Sequence, residues 1–432
     1  MENKNKKPYC FKKYNEEIPE YENDDADDGV KEIIVERNKG FNTIEVIVII
    51  FISVFFGIIV GYVITSGKNS LVGQEVSPEI GEFITTYNSI LDNYYDSVDG
   101  KKLMNAAISG MVNSLDDPYS SFIDSEDVES FNQLVDGLYT GIGVTVQWKD
   151  GKSYIVDVFD DSPAKKAGLK VNDIIIKIGQ KDVSNMDLSD ISELIKGKNG
   201  SKVEIVVLRD EKEISVNVIR SEVIVPSVSS KVFTKDGIKI GYIYIDSFAA
   251  NTYKQFKEEL ETVEDNKIDS LIIDVRENPG GHLSQVNKIL ELFFPKNTIL
   301  YQIETKGKKE KIYSSTADKR NYPIAVIVNE SSASASEILT ASFQENYKNA
   351  MIIGTKTYGK GTVQKAIELS SGATLKYTTQ KWLTAKGQWI NGVGISPDYF
   401  VEQSGDYNSN KTDESDTQLQ QAINLLIEKE SK

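Results

Sequence analysis

The chain has 432 residues, which is enough for two or three domains with cores of their own. Acidic residues outnumber basic residues by 65 to 49, and the net charge of −16 argues against nucleic acid as a partner, because a phosphate backbone requires a basic surface. The single cysteine, Cys10, cannot form an internal disulfide, and with one histidine it does not suit a zinc site, so the sequence implies neither a metal nor a cofactor.

The first 66 residues contain a charged segment followed by an apolar one. Residues 1–43 carry acidic clusters such as the one at 24–28, and we predict a disordered tail because this composition cannot bury a core. Residues 44–66 are predominantly apolar over a length that predicts one membrane-spanning helix. A buried core helix is the alternative. The long charged segment before the apolar run favours an uncleaved anchor over a cleavable signal peptide.

The basic residues around this run predict its orientation. Lys31, Arg37 and Lys39 precede the run, whereas only Lys68 follows closely behind it. By the positive-inside rule the N-terminus is therefore predicted to be cytoplasmic. The rest of the chain would then lie outside the cell membrane.

Residues 67–136 are predicted to form a linker and a helical region. The Ser-Pro-Glu sequence at 77–79 provides an N-cap hydroxyl, a proline for the first turn and an acid near the positive end of the helix dipole. Apolar residues then recur at helical spacing over 80–94 and 103–115. These apolar stripes suit either packing within the chain or a homodimer surface.

Residues 137–222 change to a pattern of short strands. Two glycines, Gly141 and Gly143, precede an alternating apolar strand, and a helix is predicted near 189–198. This order of loop, strand and helix resembles a PDZ domain, which binds a peptide as an added strand while loop amides capture its C-terminal carboxylate. The alternative is that the glycines only relieve crowding in a β-turn. By the resemblance, the peptide would contact the loop and the helix at Thr140, Gly141, Ile142, Gly143, Val144 and either Leu194 or Ile195.

Residues 223–401 alternate strands and helices as in an α/β layer domain. Here the apolar run 326–328 stops at small residues that open a helix, which is the context of a nucleophile turn. Such a turn leaves a hydroxyl facing a cleft and amides free to receive an oxyanion, so Ser334 is the candidate nucleophile. A second strand, 270–275, leads to Gly280-Gly281, where another oxyanion donor can lie because glycine allows close approach to a ligand.

A serine hydroxyl is a weak nucleophile at neutral pH and needs a base. Lys360 lies between glycines in the strand-like run 358–364, and Gln364 would share its face under the two-residue period of a strand. Gln364 can then orient the lysine. To act as a base, Lys360 must be neutral near pH 7, which requires its pKa to fall from ~10.4 to ~7–8, at a cost of roughly 3–4 kcal/mol. An apolar pocket can supply this free energy.

These segments together closely resemble the carboxyl-terminal processing proteases. The matching residues are Asp-Val-Arg-Glu-Asn-Pro-Gly-Gly at 274–281, Asn-Glu-Ser-Ser-Ala-Ser-Ala-Ser-Glu-Ile at 329–338 and Tyr-Gly-Lys-Gly-Thr-Val-Gln at 358–364. The resemblance implies a crotonase-like core. It assigns the nucleophile to Ser334, the base to Lys360 and the orienting glutamine to Gln364. It assigns the oxyanion amides to Ala335 and to either Gly280 or Gly281.

Two alternatives to these assignments stay open. The interval from Ser334 to Lys360 is one residue longer than the family pattern, so Ser332 or Ser336 can be the nucleophile instead. His282 follows the Gly-Gly turn and offers a serine–histidine mechanism. No aspartate is visible in the sequence to orient this histidine, so a polar loop residue is the preferred interpretation.

Residues 402–432 are predicted to form a polar linker and an amphipathic helix at 418–427. The sequence as a whole predicts an α+β multidomain protein with one N-terminal transmembrane helix, a helical N-terminal region, an inserted PDZ-like β domain, a crotonase-like α/β protease core and a C-terminal helix. Its predicted function is that of a membrane-anchored serine endopeptidase that cuts extracytoplasmic proteins near accessible C-termini without a cofactor. A PDZ-containing scaffold without activity and a crotonase-like acyl-CoA enzyme are the alternatives.

Overall fold

The computed structural model describes residues 77–316, 320–405, 407 and 412–431. The disordered tail predicted at 1–43, the anchor predicted at 44–66 and the linker before residue 77 lie outside the described residues. In the described part of the chain, no helix is long and apolar enough to cross a membrane.

The chain divides into two units, residues 1–89 and residues 90–432. The described part of the first unit belongs to α1, Pro78–Asn93, which continues into the second unit. α1 starts where the sequence predicts, with Pro78 at its first position. Proline suits this position because the first turn has no intrahelical acceptor for the N–H that proline lacks.

Two helices and a short strand lead into the β-rich part of the second unit. They are α2 (Gly100–Asn113), β1 (Ser121–Ile123) and α3 (Val128–Asp136). α2 begins at Asp99, whose side chain accepts hydrogen bonds from two backbone amides of its first turn. α3 ends at Gly137, which has φ 63° and turns the chain into the next strand.

Residues 138–224 form a small β domain with its own core. Its elements are β2 (Leu138–Gly141), β3 (Val144–Lys149), β4 (Lys152–Val158), α4 (Pro163–Ala167), β5 (Ile174–Ile178), β6 (Lys181–Asp182), α5 (Leu188–Ile195), β7 (Lys202–Arg209), β8 (Lys212–Ile219) and β9 (Ser221–Ile224). The main sheet has the order β3-β4-β5-β7-β8, with β6 paired to β5, and it contributes most of the buried aliphatic core. Within the described residues β3 pairs only with β4, so one edge of β3 is open.

The two ends of this domain lie side by side. β2 and β9 pair antiparallel with Leu138 opposite Ile224, and the Val225 amide donates to the Gly137 carbonyl at 2.9 Å. Adjacent ends allow a domain to be inserted into another, because the host fold continues close to the point where it was interrupted. The pairing explains how the β domain is inserted after α3.

The rest of the second unit is built on a six-stranded sheet. Its strands are β10 (Val228–Lys235), β11 (Ile238–Ile245), β12 (Ser270–Asp274), β15 (Ile324–Val328), β16 (Ala350–Gly354) and β19 (Tyr399–Phe400), in that spatial order. β10 and β11 are antiparallel, and the other neighbours are parallel. β12 and β15 are buried along their whole length, as expected where helices cover both faces of a parallel sheet.

The helices that cover this sheet are α6 (Thr252–Asp265), α7 (Leu283–Glu291), α8 (Ala335–Asn346) and α9 (Thr417–Glu430). The first three share one core with alternate strand residues such as Ile273 and Val326. α9 packs on the opposite face, against residues such as Ile272 and Ile327. The predicted C-terminal helix is thus confirmed, and its predicted apolar residues are buried: Leu419, Ala422, Ile423 and Leu426.

A second sheet joins segments from both sides of the inserted domain. Its strands are β1, β13 (Ile299–Thr305), β14 (Lys308–Tyr313), β17 (Thr362–Glu368) and β18 (Thr374–Thr384). β18 pairs with β1, β13 and β17. Because β1 precedes the small β domain and β18 follows it, this pairing fixes the N-terminal segment to the core.

A buried ion network holds α9 at the end of β12. The Arg276 guanidinium donates to the Asp274 carboxylate at 2.5–3.0 Å and to the Asp416 carboxylate at 2.8 and 2.9 Å. Burial raises the pKa of Asp416, but the hydrogen bonds and charge of Arg276 outweigh burial and leave this pKa below its ordinary value. Removing one partner of a buried ion pair costs ~3–5 kcal/mol, so the network strongly favours this position of α9.

Candidate active site

Ser334 lies at the turn between β15 and α8, where the sequence predicts the nucleophile. Its backbone has φ 57° and ψ −111°, a strained conformation for a residue with a side chain. A strained turn between a strand and a helix is the geometry that exposes a nucleophilic hydroxyl. Ser332 and Ser336 are fully buried, and their hydroxyls donate to the carbonyls of Val275 and Asn278 at 2.8 and 2.9 Å. Of the three serines, only Ser334 is partly exposed.

The Gly280-Gly281 turn lies directly against Ser334. The two glycines have φ 101° and 144°, and a Cβ atom on Gly280 would lie 2.7 Å from Ala333 O and 2.8 Å from Ser334 Cβ. Such an approach requires glycine. The contact follows from the sheet, because β12 and β15 are parallel neighbours and the segments after their carboxyl ends meet at one edge.

Three backbone amides around this turn are candidates for the oxyanion site. The Gly280 amide donates to Asn278 Oδ1 at 2.8 Å and so already has an acceptor. The amides of Gly281 and Ala335 donate to no acceptor in the described part of the chain. The structure therefore distinguishes the two glycines, which the sequence does not.

Lys360 precedes β17 and is half-buried. Burial lowers the pKa of Lys360 and the charge of Lys376 adds to this effect, while Asp117 and Glu337 oppose it. The Lys360 Nζ atom lies 4.6 Å from the centroid of the Tyr119 ring, which is the geometry of a cation–π contact. This side chain is not hydrogen-bonded to any described residue.

Gln364 is not hydrogen-bonded to Lys360 within the described residues. β17 begins at Thr362, so Lys360 lies outside the strand and the two-residue period of a strand does not relate the two side chains. The orienting role of Gln364 stays a prediction. Gln364 Nε2 donates instead to the hydroxyls of Thr362 and Thr378, each at 3.0 Å.

Glu337, which is not among the predicted site residues, is buried in the first turn of α8. Its Oε1 atom accepts from the Thr357 hydroxyl and the Gly359 amide, each at 2.7 Å. Its Oε2 atom accepts from the amides of Ser334 and Lys360 at 2.9 and 2.8 Å. One carboxylate thus joins the turn of Ser334 to the segment of Lys360. The signal was present in the sequence, because a serine followed three residues later by a glutamate has the spacing of a capping box.

The segment before β1 covers the Lys360 side chain, and no sequence pattern indicates this contact. Burial and a hydrogen bond with Tyr358 raise the pKa of Tyr119, whose ring contacts Lys360, to about 12. The Thr378 amide donates to Ser120 Oγ at 3.1 Å and fixes the segment to β18. Tyr119 is therefore a further residue of the site.

His282 has a partner that the sequence does not reveal. Its Nε2 atom lies 2.9 Å from Asp136 Oδ1, at the end of α3. The two residues are 146 positions apart, which is why no aspartate is visible near the histidine. No hydrogen bond joins His282 to Ser334 within the described residues, so the serine–histidine mechanism gains no support.

In the small β domain, a groove of about 610 Å³ lies between the open edge of β3 and α5. The predicted residues Val144 and Ile195 line it, whereas Leu194 packs toward the domain core. Leu134 of α3 and Tyr139, which are not among the predicted residues, also line it. The remaining predicted residues belong to β2 and to the loop before β3: Thr140, Gly141, Ile142 and Gly143.

The fold, the partly exposed Ser334 and the buried Glu337 suit a serine peptidase with a small inserted β domain. Residues 239–401 match the family model for peptidase family S41. Residues 154–209 match a PDZ domain, and residues 64–127 match the activating protease CtpB N-terminal domain. The inserted β domain is therefore a PDZ domain, as the sequence predicts.

Two proteins of Bacillus subtilis (strain 168) are similar to most of this chain. The carboxy-terminal processing protease CtpA is 37% identical over 364 residues, which cover 81% of this chain and 77% of CtpA. The carboxy-terminal processing protease CtpB is 39% identical over 322 residues, which cover 73% of this chain and 66% of CtpB. The chain therefore belongs to the carboxy-terminal processing proteases of peptidase family S41.

A solved structure supports the fold. The putative S41 protease from Bacteroides fragilis NCTC 9343 is 16% identical, covers 77% of this chain and 91% of its own chain, and gives a TM-score of 0.50. Membership of the S41 family makes the protein a serine-type endopeptidase, and neither the inactive scaffold nor the acyl-CoA enzyme is supported.

We expect Glu337→Gln to disable the site. Glutamine offers one acceptor oxygen where the carboxylate offers two, and its NH₂ group would face two of the four donors that Glu337 binds. A hydrogen bond to a charged group is worth ~1.5–3 kcal/mol, so losing two should lower kcat/KM by at least ~100-fold. Hydrolysis of a fluorogenic peptide measures this loss.

Glu345→Gln is the matched control on the same helix. Glu345 accepts its hydrogen bond from the Lys386 amide, which belongs neither to the Ser334 turn nor to the segment of Lys360. It should retain activity close to that of the wild type. Equal activity of the two variants would contradict the role assigned to Glu337.

Proposed function

We propose that the chain cleaves peptide bonds through a dyad of Ser334 and Lys360. Ser334 Oγ attacks the scissile carbonyl, and neutral Lys360 takes the hydroxyl proton and returns it to the leaving amine. Amides of the two turns stabilise the oxyanion, with each donor worth ~2.7–4 kcal/mol. The observation that carries this proposal is the Glu337 carboxylate, because one of its oxygens binds the backbone amides of both residues.

The proposal requires a rotation of the Lys360 side chain. Its Nζ atom lies over Tyr119, while the backbone of Lys360 is fixed by Glu337. Rotation about the side-chain bonds of lysine can bring Nζ toward Ser334 when substrate enters. We assign the orienting role at that stage to Gln364, which would exchange a hydrogen bond to a threonine for one to the lysine.

Gly281, together with Ala335, is the proposed oxyanion donor. The Gly280 amide is bonded to Asn278 Oδ1, and a substrate oxyanion would have to displace that acceptor. The amides of Gly281 and Ala335 require no displacement of a described protein acceptor. They can therefore bind the oxyanion without reorganisation.

Lys360→Ala and Lys360→Arg should both lower kcat by at least ~100-fold, because alanine supplies no base and arginine keeps its proton. In the wild type, kcat/KM should rise with pH through the pKa of Lys360, since the protonated lysine is inactive. Burial places that pKa below its ordinary value. Hydrolysis of a fluorogenic peptide across a range of pH measures both effects.

Lys356→Ala is the matched control, because this exposed lysine lies four positions before Lys360. It should keep wild-type activity, and Ser334→Ala should be inactive. An active Lys360→Ala variant combined with an inactive His282→Ala variant would transfer the role of base to His282 and overturn the dyad.

We further propose that the PDZ domain receives the C-terminus of a protein substrate. The open edge of β3 offers N–H and C=O groups to an extended peptide. The adjoining groove is lined by apolar residues, including Val146 and Ile191, that suit side chains of such a strand. Residues 140–144 run from the end of β2 to the start of β3, where their amides can bind the C-terminal carboxylate of the substrate.

A peptide substrate with a free C-terminal carboxylate should therefore have a lower KM than its amidated form, by about tenfold, because hydrogen bonds to a charged group are worth ~1.5–3 kcal/mol. Steady-state kinetics of the two peptides measures this ratio. Replacing residues 138–224 by a short Gly-Ser linker is the control, since Gly137 and Val225 are already hydrogen-bonded to each other. The ratio should then fall to one. Equal KM values in the wild type would contradict docking.

Membrane anchoring by residues 44–66 is also part of the proposal. It is supported by the length and apolarity of this segment and by the basic residues before it, all of which lie outside the described residues. The N-terminus would be cytoplasmic and the catalytic part extracytoplasmic. A homodimer is proposed as well, because Met111 and Leu115 are 58% and 57% exposed.

Protease added to intact protoplasts should digest the region after residue 67 and spare an N-terminal tag, because the membrane would protect the tag. Immunoblots against tags at the two ends measure this protection. Digestion of the N-terminal tag alone would reverse the proposed orientation.

A further inference from the structure

Helix α3 contacts both the peptide groove of the PDZ domain and the oxyanion turn, which is the Gly280-Gly281 turn with His282 after it. Its residues Gln133 and Leu134 line the groove, where Leu134 is 82% exposed. Its last residue, Asp136, is hydrogen-bonded to His282 at 2.9 Å. A carboxylate only accepts hydrogen bonds, so the histidine Nε2–H is the donor.

His282 belongs to the backbone frame of the oxyanion turn. Its amide donates to the Phe248 carbonyl at 2.7 Å, and the Phe248 amide donates to the Gly280 carbonyl at 2.8 Å. Gly281 lies between these two hydrogen bonds. A contact that holds His282 in place therefore also holds the Gly281 amide relative to Ser334.

The end of α3 is fixed to the protease core as well as to the PDZ domain. The Asp136 carbonyl accepts from the Ala250 amide at 3.2 Å, and the Gly137 carbonyl accepts from the Val225 amide at 2.9 Å. A Cβ atom on Gly137 would lie 2.8 Å from the Ala249 side chain. Leu134 and Asp136 lie two residues apart at this end of α3, so a restraint on Leu134 in the groove acts close to Asp136.

The position of His282 in the chain argues for a role in this contact. His282 is the N-cap residue of α7, yet its side chain makes no cap hydrogen bond. Serine, threonine, aspartate and asparagine are the residues that stabilise a helix start. The imidazole ring thus serves the contact with Asp136 and not the helix that it precedes.

We propose that Asp136 and His282 are positioning residues that couple the peptide groove to the oxyanion turn. A peptide strand on β3 contacts Gln133 and Leu134 and restrains α3. Asp136 then holds His282, and with it the Gly281 amide, in the geometry that receives the oxyanion. The inference rests on the proposed docking of substrate C-termini in this groove.

A double-mutant cycle on the full chain tests the coupling. kcat and KM are measured for a peptide with a free C-terminal carboxylate and for its amidated form, in the wild type, Asp136→Ala, His282→Ala and the double variant. Each single substitution should lower kcat for the carboxylate peptide about fivefold, at the lower end of couplings between sites, with KM unchanged. The double variant should lose no more than either single variant, because both substitutions remove the same contact.

Two further variants separate positioning from a general structural effect. His282→Gln retains an N–H that can donate to Asp136 and should recover most of kcat. Asp127→Ala changes the same residue type at the other end of α3, where the side chain makes no cap hydrogen bond, and should behave as the wild type. Unfolding midpoints should agree among all variants, because the side chains of His282 and Asp136 are 34% and 41% exposed.

Three results would overturn the inference. The losses of kcat could multiply in the double variant, or Asp127→Ala could lose as much kcat as Asp136→Ala. The third is a fall in the unfolding midpoint that parallels the loss of kcat. If the wild type has a lower KM for the carboxylate peptide but the variants keep the wild-type kcat for it, the inference alone is overturned and the proposed docking stands. If the wild type treats both peptides alike, the proposed docking itself fails and the inference fails with it.

Discussion

The geometry of the catalytic centre depends on one buried carboxylate. Glu337 is fully buried, and its two oxygens accept four hydrogen bonds from the turn of Ser334 and the segment of Lys360. Each donor or acceptor left unpaired in such a place costs ~1–3 kcal/mol, and more where a charge is involved. Arrangements that separate the two segments are therefore unfavourable, although Lys360 comes 23 positions after Glu337 in the chain.

The sheet supplies the second constraint. β12 and β15 are buried along their whole length because helices cover both of their faces, and the two strands are parallel neighbours. The Gly-Gly turn and the Ser334 turn consequently leave the sheet at the same edge. Their close approach then requires glycine at 280, while the strained backbone of Ser334 is stabilised by the hydrogen bond from its amide to Glu337.

The parts of the site that follow from local patterns could be predicted from the sequence. The Ser334 turn, the Gly-Gly turn and the C-terminal helix depend on residue types within one segment. Tyr119 and Asp136 could not be predicted, because hydrophobic periodicity does not indicate which distant polar or aromatic side chains will meet. Gln364 shows a different limit. The run 358–364 looks strand-like throughout, but β17 begins only at Thr362, so the period of a strand does not relate Gln364 to Lys360.

Glu337 also creates an electrostatic conflict within the site. A carboxylate near Lys360 favours the protonated lysine, which cannot act as a base, and Asp117 acts in the same direction. The pKa of Lys360 nevertheless lies below its ordinary value, because burial and the charge of Lys376 outweigh both carboxylates. The four hydrogen bonds of Glu337 come from three backbone amides and a hydroxyl, and none comes from the lysine ammonium, so Glu337 can hold the proposed base by its backbone. The backbone of Lys360 is thereby fixed by a charge, while burial and the charge of Lys376 lower the pKa of its side chain.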